Sequence, residues 1–313
     1  MVNNQASMSS PPEVWAAVLE TLNYIVGEAN APSGLYVQRG GRSELGWAHT
    51  GWPNLRCTAV AVGSDAIFLG AGNGVSRWDG AAWRVTTDWR VTEVLDLAID
   101  PFAPSTLLAA TAYGVDRTLD AGESWTRLPA PGPHTNATFT SSLVHDVERR
   151  GRVLIGTEDG LFESTTGGDA WQALGPRVAV RALRQSLARP SVWLAGTVGH
   201  GPLVSHDGGH TWRASAGMPP LYAVALGAPD RMAVGGYRSG VWWSDDGGEQ
   251  WARASSASAD RLDTVSVHAL AFDPSSSERL WLGTVGDGVY THEGGAWHDA
   301  GLPETTVSAF AFS

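Results

Sequence analysis

The stretch SHDGGHTW, residues 205–212, recurs along this chain and decides its fold. Its copies are TLDAGESW (118–125), SDDGGEQW (244–251), STTGGDAW (164–171), THEGGAW (291–297), SRWDGAAW (76–83) and a decayed copy that ends at Trp47. The tryptophans that close these copies lie 36 to 46 residues apart. A period near 40 residues is typical of a β-propeller in which each repeat forms one blade.

Each repeat also carries three other apolar segments in a fixed order. Examples are VHALAFDP (267–274), VLIGTEDG (153–160) and GVWWS (240–244), which predict four antiparallel strands per repeat. The first repeat lacks its first strand, whereas TTVSAFAFS (305–313) matches a first strand and nothing follows it. The pattern therefore predicts an all-β fold, a single seven-bladed β-propeller over residues 22–313, closed by the C-terminal strand in the N-terminal blade.

Residues 1–21 are expected to form an N-terminal extension outside the ring. In PEVWAAVLETL, the spacing of Trp15, Ala16, Leu19 and Leu22 places apolar side chains on one face of a helix. We therefore predict a short helix in this extension.

The recurring stretch resembles the Asp-box (BNR) repeat, Ser/Thr-x-Asp-x-Gly-x-Thr/Ser-Trp, and the resemblance covers nearly the whole chain from about residue 22. A short Asp side chain can accept backbone hydrogen bonds and fix a turn, and the Trp buries a large apolar area. We interpret the box residues as structural: Asp120, Asp207, Asp246, Trp125, Trp171, Trp212, Trp251 and Trp297. The resemblance also implies that the boxes lie on the face opposite the usual binding surface.

Binding by propellers is expected at loops around the channel mouth, including the turns between the second and third strands of each blade. Those turns supply the ligand-binding candidates Asn73, Tyr113, Glu158 with Asp159, His200, Tyr237 and Arg238. Glu28 and Asp287 fall in neighbouring blades once the ring closes, which suits a pair of catalytic carboxylates. At the entrances of the first strands we expect His145, Arg181, Tyr222 and His268.

Two functions stay open at this point. The first is a non-catalytic propeller that binds a small molecule, a glycan or a protein at the channel mouth. The second is a glycosidase-like hydrolase or lyase that uses Glu28 and Asp287. Known Asp-box relatives include sialidases, xyloglucan-active glycosidases, sortilin-type receptors and photosystem assembly factors. The chain has no Arg-Ile-Pro element of the sialidase kind and only one propeller, so we favour the binding function.

Composition narrows the choice of partners. A net charge of −11 argues against nucleic acid, and the absence of lysine excludes a Schiff-base mechanism. The single cysteine, Cys57, permits no disulfide within the chain. We expect no cofactor and no metal site, because His206 and His210 beside Asp207 have no further ligand nearby. No export signal or membrane-spanning run is evident, so a cytoplasmic protein is expected, with secretion of a longer precursor as the alternative.

Overall fold

The computed structural model describes residues 12–21, 33–39, 46–50, 55–227, 230–254 and 260–313. These residues form seven four-stranded antiparallel sheets, which are the blades of a propeller ring. The predicted seven-bladed β-propeller is therefore confirmed. Within the described ranges, no helix is long and apolar enough to cross a membrane.

The strands β1–β28 are numbered along the chain and the blades in the same order. Blade 1 contains Thr305–Phe312 (β28), Val14–Thr21 (β1), Gly34–Gln38 (β2) and Ala48–His49 (β3). Blade 2 contains Cys57–Val62, Ile67–Ala71, Gly74–Trp78 and Trp83–Val85 (β4–β7). Blade 3 contains Val94–Asp100, Ala103–Thr111, Gly114–Thr118 and Thr126–Arg127 (β8–β11). Blade 4 contains Thr140–His145, Val153–Thr157, Gly160–Ser164 and Gln172–Leu174 (β12–β15).

The remaining three blades follow the same plan. Blade 5 contains Val180–Gln185, Trp193–Thr197, Pro202–Ser205 and Arg213–Ala214 (β16–β19). Blade 6 contains Leu221–Leu226, Met232–Gly236, Val241–Ser244 and Ala252–Arg253 (β20–β23). Blade 7 contains Val267–Asp273, Ser276–Thr284, Val289–Glu293 and Ala296–Gly301 (β24–β27). A one-turn helix, Thr135–Thr138 (α1), precedes blade 4, and a 3-10 helix, Asp260–Thr264, precedes blade 7.

The ring closes in blade 1, as the sequence predicts. Strand β28 pairs antiparallel with β1, from Val14 opposite Phe312 to Thr21 opposite Thr305. The helix expected in the N-terminal extension is wrong for Val14–Thr21, because these residues are the second strand of blade 1. Val14 to Val18 are all buried, since the strand lies between two others and its two faces pack against neighbouring blades. The repeat pattern assigns that strand to LNYIVGEA, residues 22–29, which lie outside the described residues.

The core lies between the blades. One cluster, for example, joins Leu154 and Leu161 of blade 4 to Val180, Leu183 and Trp193 of blade 5. The fit is tight where the first strand of one blade faces the second strand of the preceding blade. A Cβ atom at Gly156 would lie 2.6 Å from a methyl carbon of Val180, so only glycine fits there without a shift.

Two faces of the ring can now be distinguished. The upper face carries the starts of the first strands and the turns between second and third strands. The lower face carries the turns between first and second strands and the box turns between third and fourth strands. The predicted ligand-binding residues and the boxes therefore lie on opposite faces.

The box aspartates bond within their own turns. Asp207 accepts hydrogen bonds from the backbone nitrogen (2.9 Å) and hydroxyl (2.6 Å) of Thr211 and from the Ser205 hydroxyl (2.8 Å). The Thr211 hydroxyl contributes most to holding the pKa of the Asp207 carboxyl well below its usual value. Bonds from Ser124 and Thr118 lower the pKa of Asp120 in the same way, to about 2. Thr166 replaces the aspartate in blade 4, and its hydroxyl accepts the corresponding bond from Ala170 N at 3.1 Å.

Several box tryptophans connect neighbouring blades. The indole nitrogen of Trp297 in blade 7 donates to the Ala254 carbonyl oxygen at the end of blade 6, at 2.9 Å. Trp83 in blade 2 donates to Thr50 O, just after the last strand of blade 1, at 3.1 Å. Trp212 instead donates to Gly209 O of its own turn at 2.9 Å. The repeated Trp thus contributes to cohesion between blades as well as to the turn.

Candidate functional site

The predicted binding residues of blades 2 to 7 all lie in upper-face turns between second and third strands. They are Asn73, Tyr113, Glu158, Asp159, His200, Tyr237, Arg238 and Asp287. Glu28, the other candidate catalytic carboxylate, lies outside the described residues. The structure consequently brings the candidates of six blades to one face, and the pairing of Glu28 with Asp287 stays a prediction.

A second set of upper-face residues comes from β-bulges. In every first strand one residue near the start has no partner in the ladder with the second strand. Such a bulge bends the strand and redirects a side chain. The seven bulge residues are Thr58, Leu95, Ser141, Arg181, Tyr222, His268 and Ser308, and all seven line one cavity of about 300 Å³ at the channel mouth, the upper cavity.

Three of the seven are small hydroxyl residues that bond to the next blade. The hydroxyls of Thr58, Ser141 and Ser308 donate to Val94 O, Val180 O and Cys57 O at 2.5, 2.7 and 2.7 Å. The other four, Leu95 and the larger Arg181, Tyr222 and His268, also line the cavity. At blades 5 to 7 the channel mouth therefore presents a cation, a phenol and an imidazole in turn.

The expected entrance residues Arg181, Tyr222 and His268 are at the mouth, but His145 is not. His145 is the last residue of β12, at the lower end, and is buried. His145 follows a valine, as His268 does, but its strand begins five residues earlier, at Thr140, so His145 lies at the opposite end of the strand.

Charges at the mouth are largely paired. Arg181 forms an ion pair with Glu158, and its guanidinium carbon lies 5.5 Å from the centre of the Phe139 ring. Asp159 pairs with Arg177, whose nitrogen lies 2.5 Å away. Burial lowers the pKa of His268, which favours its neutral form. Within the described part of the chain, the Asp287 carboxylate has no ion-pair partner, and no three His, Cys, Asp or Glu side chains are grouped to hold a metal ion.

Exposed aromatic side chains are concentrated on the same face. Among the described residues, every exposed Trp or Tyr lies there: Trp89 (81% exposed), Tyr237 (64%), Tyr113 (58%) and Tyr222 (38%). The sequence reasoning did not select Trp89, which lies in the connection from blade 2 to blade 3. Trp89 lies outside every box copy, but so do the buried Trp193 and Trp281, so its place in the sequence did not mark it as exposed.

The loops of two of these aromatic residues are held by one ion pair, between exposed Arg127 and buried Asp116. Arg127 donates to the Asp116 carboxylate (2.8 Å), to Tyr113 O (2.6 Å) and to Arg90 O (3.4 Å), and thereby links the turn of Tyr113 to the loop of Trp89. Asp116 is 2% exposed, and burial raises its pKa while Arg127 opposes that shift. The Arg90 guanidinium lies 5.4 Å from the centre of the Trp89 ring. The exposed rings thus stand on an ordered support.

Comparison with known proteins supports the propeller fold but assigns the chain to no family. No family model matches the chain, and no curated protein matches it. Among solved structures, the chain is similar to an ancestral GH74 enzyme (TM-score 0.63, 16% identity) over 82% of this chain and 38% of the enzyme. It is similar to the GH74 enzyme of Niastella koreensis (TM-score 0.68, 16% identity) over 94% of this chain and 53% of the enzyme. It is also similar to YCF48 bound to a D1 peptide (TM-score 0.60, 15% identity) over 82% of this chain and 92% of YCF48. The chain therefore spans about half or less of each GH74 enzyme, and its structural neighbours are propellers that include both enzymes and a peptide-binding protein.

Proposed function

We propose that this protein is an Asp-box propeller that binds a partner polypeptide on its upper face without catalysing a reaction. The observation that carries the proposal is the placement of every exposed Trp and Tyr of the described residues on that face. Trp, Tyr and Arg are the residues that most often dominate the binding energy of protein interfaces. Arg238 and His200, both exposed in neighbouring blades, would supply polar contacts around the aromatic rings.

The support beneath the rings favours binding through preformed contacts. Linking the loops of Trp89 and Tyr113 through Arg127 reduces the conformational entropy lost when a partner is bound. YCF48, a structural neighbour of nearly the same length, is seen with a bound peptide, which is consistent with a propeller of this size acting as a binding module.

The glycosidase-like alternative has less support. Of its two carboxylates, Asp287 is exposed, whereas a general acid usually lies in an environment that raises its pKa. The other acidic side chains at the mouth, Glu158 and Asp159, are paired with arginines. Both GH74 enzymes exceed this chain greatly in length, so their activity is not carried over.

A displayed library of random peptides, selected on the purified protein, tests the proposal. Selected peptides are then titrated by fluorescence anisotropy against a Trp89→Ala/Tyr113→Ala/Tyr237→Ala variant and a matched lower-face control, Phe102→Ala/Leu119→Ala, whose residues are also exposed. We expect the upper-face variant to lose at least about tenfold in affinity and the control to bind normally. Equal binding by both variants would contradict the proposed surface.

A panel of chromogenic glycosides and esters tests the alternative on the same preparation. Turnover that disappears in Asp287→Asn, with the fold intact, would show an enzyme and overturn the non-catalytic proposal.

A further inference from the structure

A second cavity lies at the opposite end of the channel from the proposed binding face. This lower cavity has a volume of about 870 Å³, within the range of sites for small molecules. It is formed by the lower ends of the first strands of blades 5, 6, 7 and 1. No step of the proposed polypeptide binding uses it.

Its wall is apolar and incompletely covered. Leu226, Phe272, Phe310 and Phe312 line it, and Leu187 stands at its edge with 82% of its surface exposed. In β28 the five residues from Ser308 to Phe312 are all partly exposed. Apolar surface of this kind is stabilised when another apolar molecule removes it from water.

One cation lies where this cavity adjoins the upper cavity. Arg184 lines both, and about half of its side chain (46%) is exposed. At the matching position of the other six first strands stand only Ala or Val: Ala61, Ala98, Val144, Ala225, Ala271 and Ala311. A single arginine among six small apolar residues is not explained by packing of the ring.

Arg184 retains hydrogen-bonding capacity. Its Nη1 donates to Leu183 O at 2.7 Å, and its nearest carboxylate, Asp96, is 3.8 Å away. Asp96 is itself held by the Ser142 hydroxyl (2.9 Å) and the backbone nitrogens of Leu97 (2.9 Å) and Leu143 (3.1 Å). A guanidinium has five N–H donors, so most of those on Arg184 are left for another acceptor.

The other charged side chain that lines the lower cavity does not offset this cation. Asp273 is 3% exposed and accepts hydrogen bonds from Ser275 N (2.8 Å) and Trp281 Nε1 (3.1 Å), with Arg279 at 3.4 Å. Its negative charge is therefore directed into the protein. Among the charged side chains of the described lining, Arg184 is therefore the one left to face a ligand.

We propose that the lower cavity binds a small amphiphilic anion, with its apolar part against Phe272, Phe310 and Phe312 and its carboxylate or sulfonate at Arg184. An arginine fork pairs with either group through two parallel hydrogen bonds. The apolar wall would bury the hydrocarbon tail of such a molecule, and Arg184 would pair with its anionic head group.

The experiment uses the full chain and isothermal titration with decanoate, decanol and decyltrimethylammonium. The three probes share one tail and differ in the charge of the head. We expect decanoate to bind most tightly, and Arg184→Gln to weaken it about tenfold or more, the loss typical of a charge-assisted hydrogen bond. Leu187→Gln, at an exposed position where folding is not at risk, should weaken all three probes.

Two controls make the result specific. Arg150→Gln removes an exposed lower-face arginine outside the cavity and should bind decanoate normally. The Trp89→Ala/Tyr113→Ala/Tyr237→Ala variant should also bind it normally, which separates this site from the upper face. Absence of decanoate binding, equal binding of the cationic probe, or unchanged affinity in Arg184→Gln would each overturn the proposal.

Discussion

The indole nitrogen of Trp47 lies 2.7 Å from the carbonyl oxygen of Ala300, although 253 positions separate the two residues. Trp47 precedes the last strand of blade 1, and Ala300 lies in the last strand of blade 7. The same kind of bond joins Trp297 to blade 6 and Trp83 to blade 1. The contact between blades 7 and 1, where the ring closes, is thus the same indole-to-carbonyl hydrogen bond that joins other neighbouring blades.

Removal of β28 should disrupt the ring. Deletion of residues 305–313 exposes the edge of β1, which pairs with β28 along most of its length, and removes the Ser308 bond to blade 2. We expect an insoluble protein or a large fall in melting temperature, measured by circular dichroism. A truncated protein with a cooperative transition at the parent temperature would show that closure is not required.

A tryptophan hydrogen bond between blades should stabilise the protein more than one within a single turn. Trp297→Phe keeps an aromatic ring but leaves the buried carbonyl of Ala254 without the indole donor, whereas Trp212→Phe removes a bond within one turn. We expect Trp297→Phe to lower the free energy of unfolding by about 1 kcal/mol more than Trp212→Phe. Urea denaturation of both variants measures the difference, and equal losses would contradict an inter-blade role for Trp297.

Asp207 should support stability in a pH-dependent way. Its pKa is lowered in the folded protein, so its contribution is complete above the unfolded value, about 4, and is lost as the pH falls further. Asp207→Asn should therefore lower the melting temperature at pH 7, and the gap to the parent should narrow below about pH 4. Asp65→Asn, at an exposed turn, is the control and should show no gap. Peptide binding should be unaffected, because Asp207 lies on the lower face.

Arg238 allows binding and folding to be separated. It adopts φ +49°, a left-handed conformation that costs a non-glycine residue about 1 kcal/mol. Arg238→Gly removes this strain but increases the entropy of the unfolded chain, so stability should change by less than about 1 kcal/mol. Affinity for selected peptides should fall, as measured by anisotropy. A variant that is equally stable and binds equally well would remove Arg238 from the proposed surface.

The repeated box made the fold predictable, because its period marks each blade. The first repeat lacks its first strand, and this absence indicated where the ring closes. The strand Val14–Thr21 was not predictable in the same way. It is buried on both faces, so it lacks the alternation that identifies a half-buried strand, and the spacing of Trp15, Ala16 and Leu19 fits a helix equally well.

The location of the candidate site could be predicted from the sequence, but only some of its residues could. Turn positions such as Tyr113 and Tyr237 follow directly from the repeat, since a glycine-bounded turn separates the second and third strands. Trp89 belongs to a connection that differs between repeats, so alignment of the repeats could not select it. The role of Arg184 depends on which side chains meet across the channel, and this follows from the curvature of the ring rather than from spacing along the chain.

The seven bulges have a consequence for how such a ring can change. A bulge residue has no partner in its ladder, so its exchange disturbs little of the hydrogen bonding that holds the blade. The hydroxyls of Thr58, Ser141 and Ser308 bond to the next blade, so the bulge positions most open to substitution are Leu95, Arg181, Tyr222 and His268. Selection, or a protein engineer, can change the recognition chemistry of the mouth by single substitutions at these four positions while the ring stays the same.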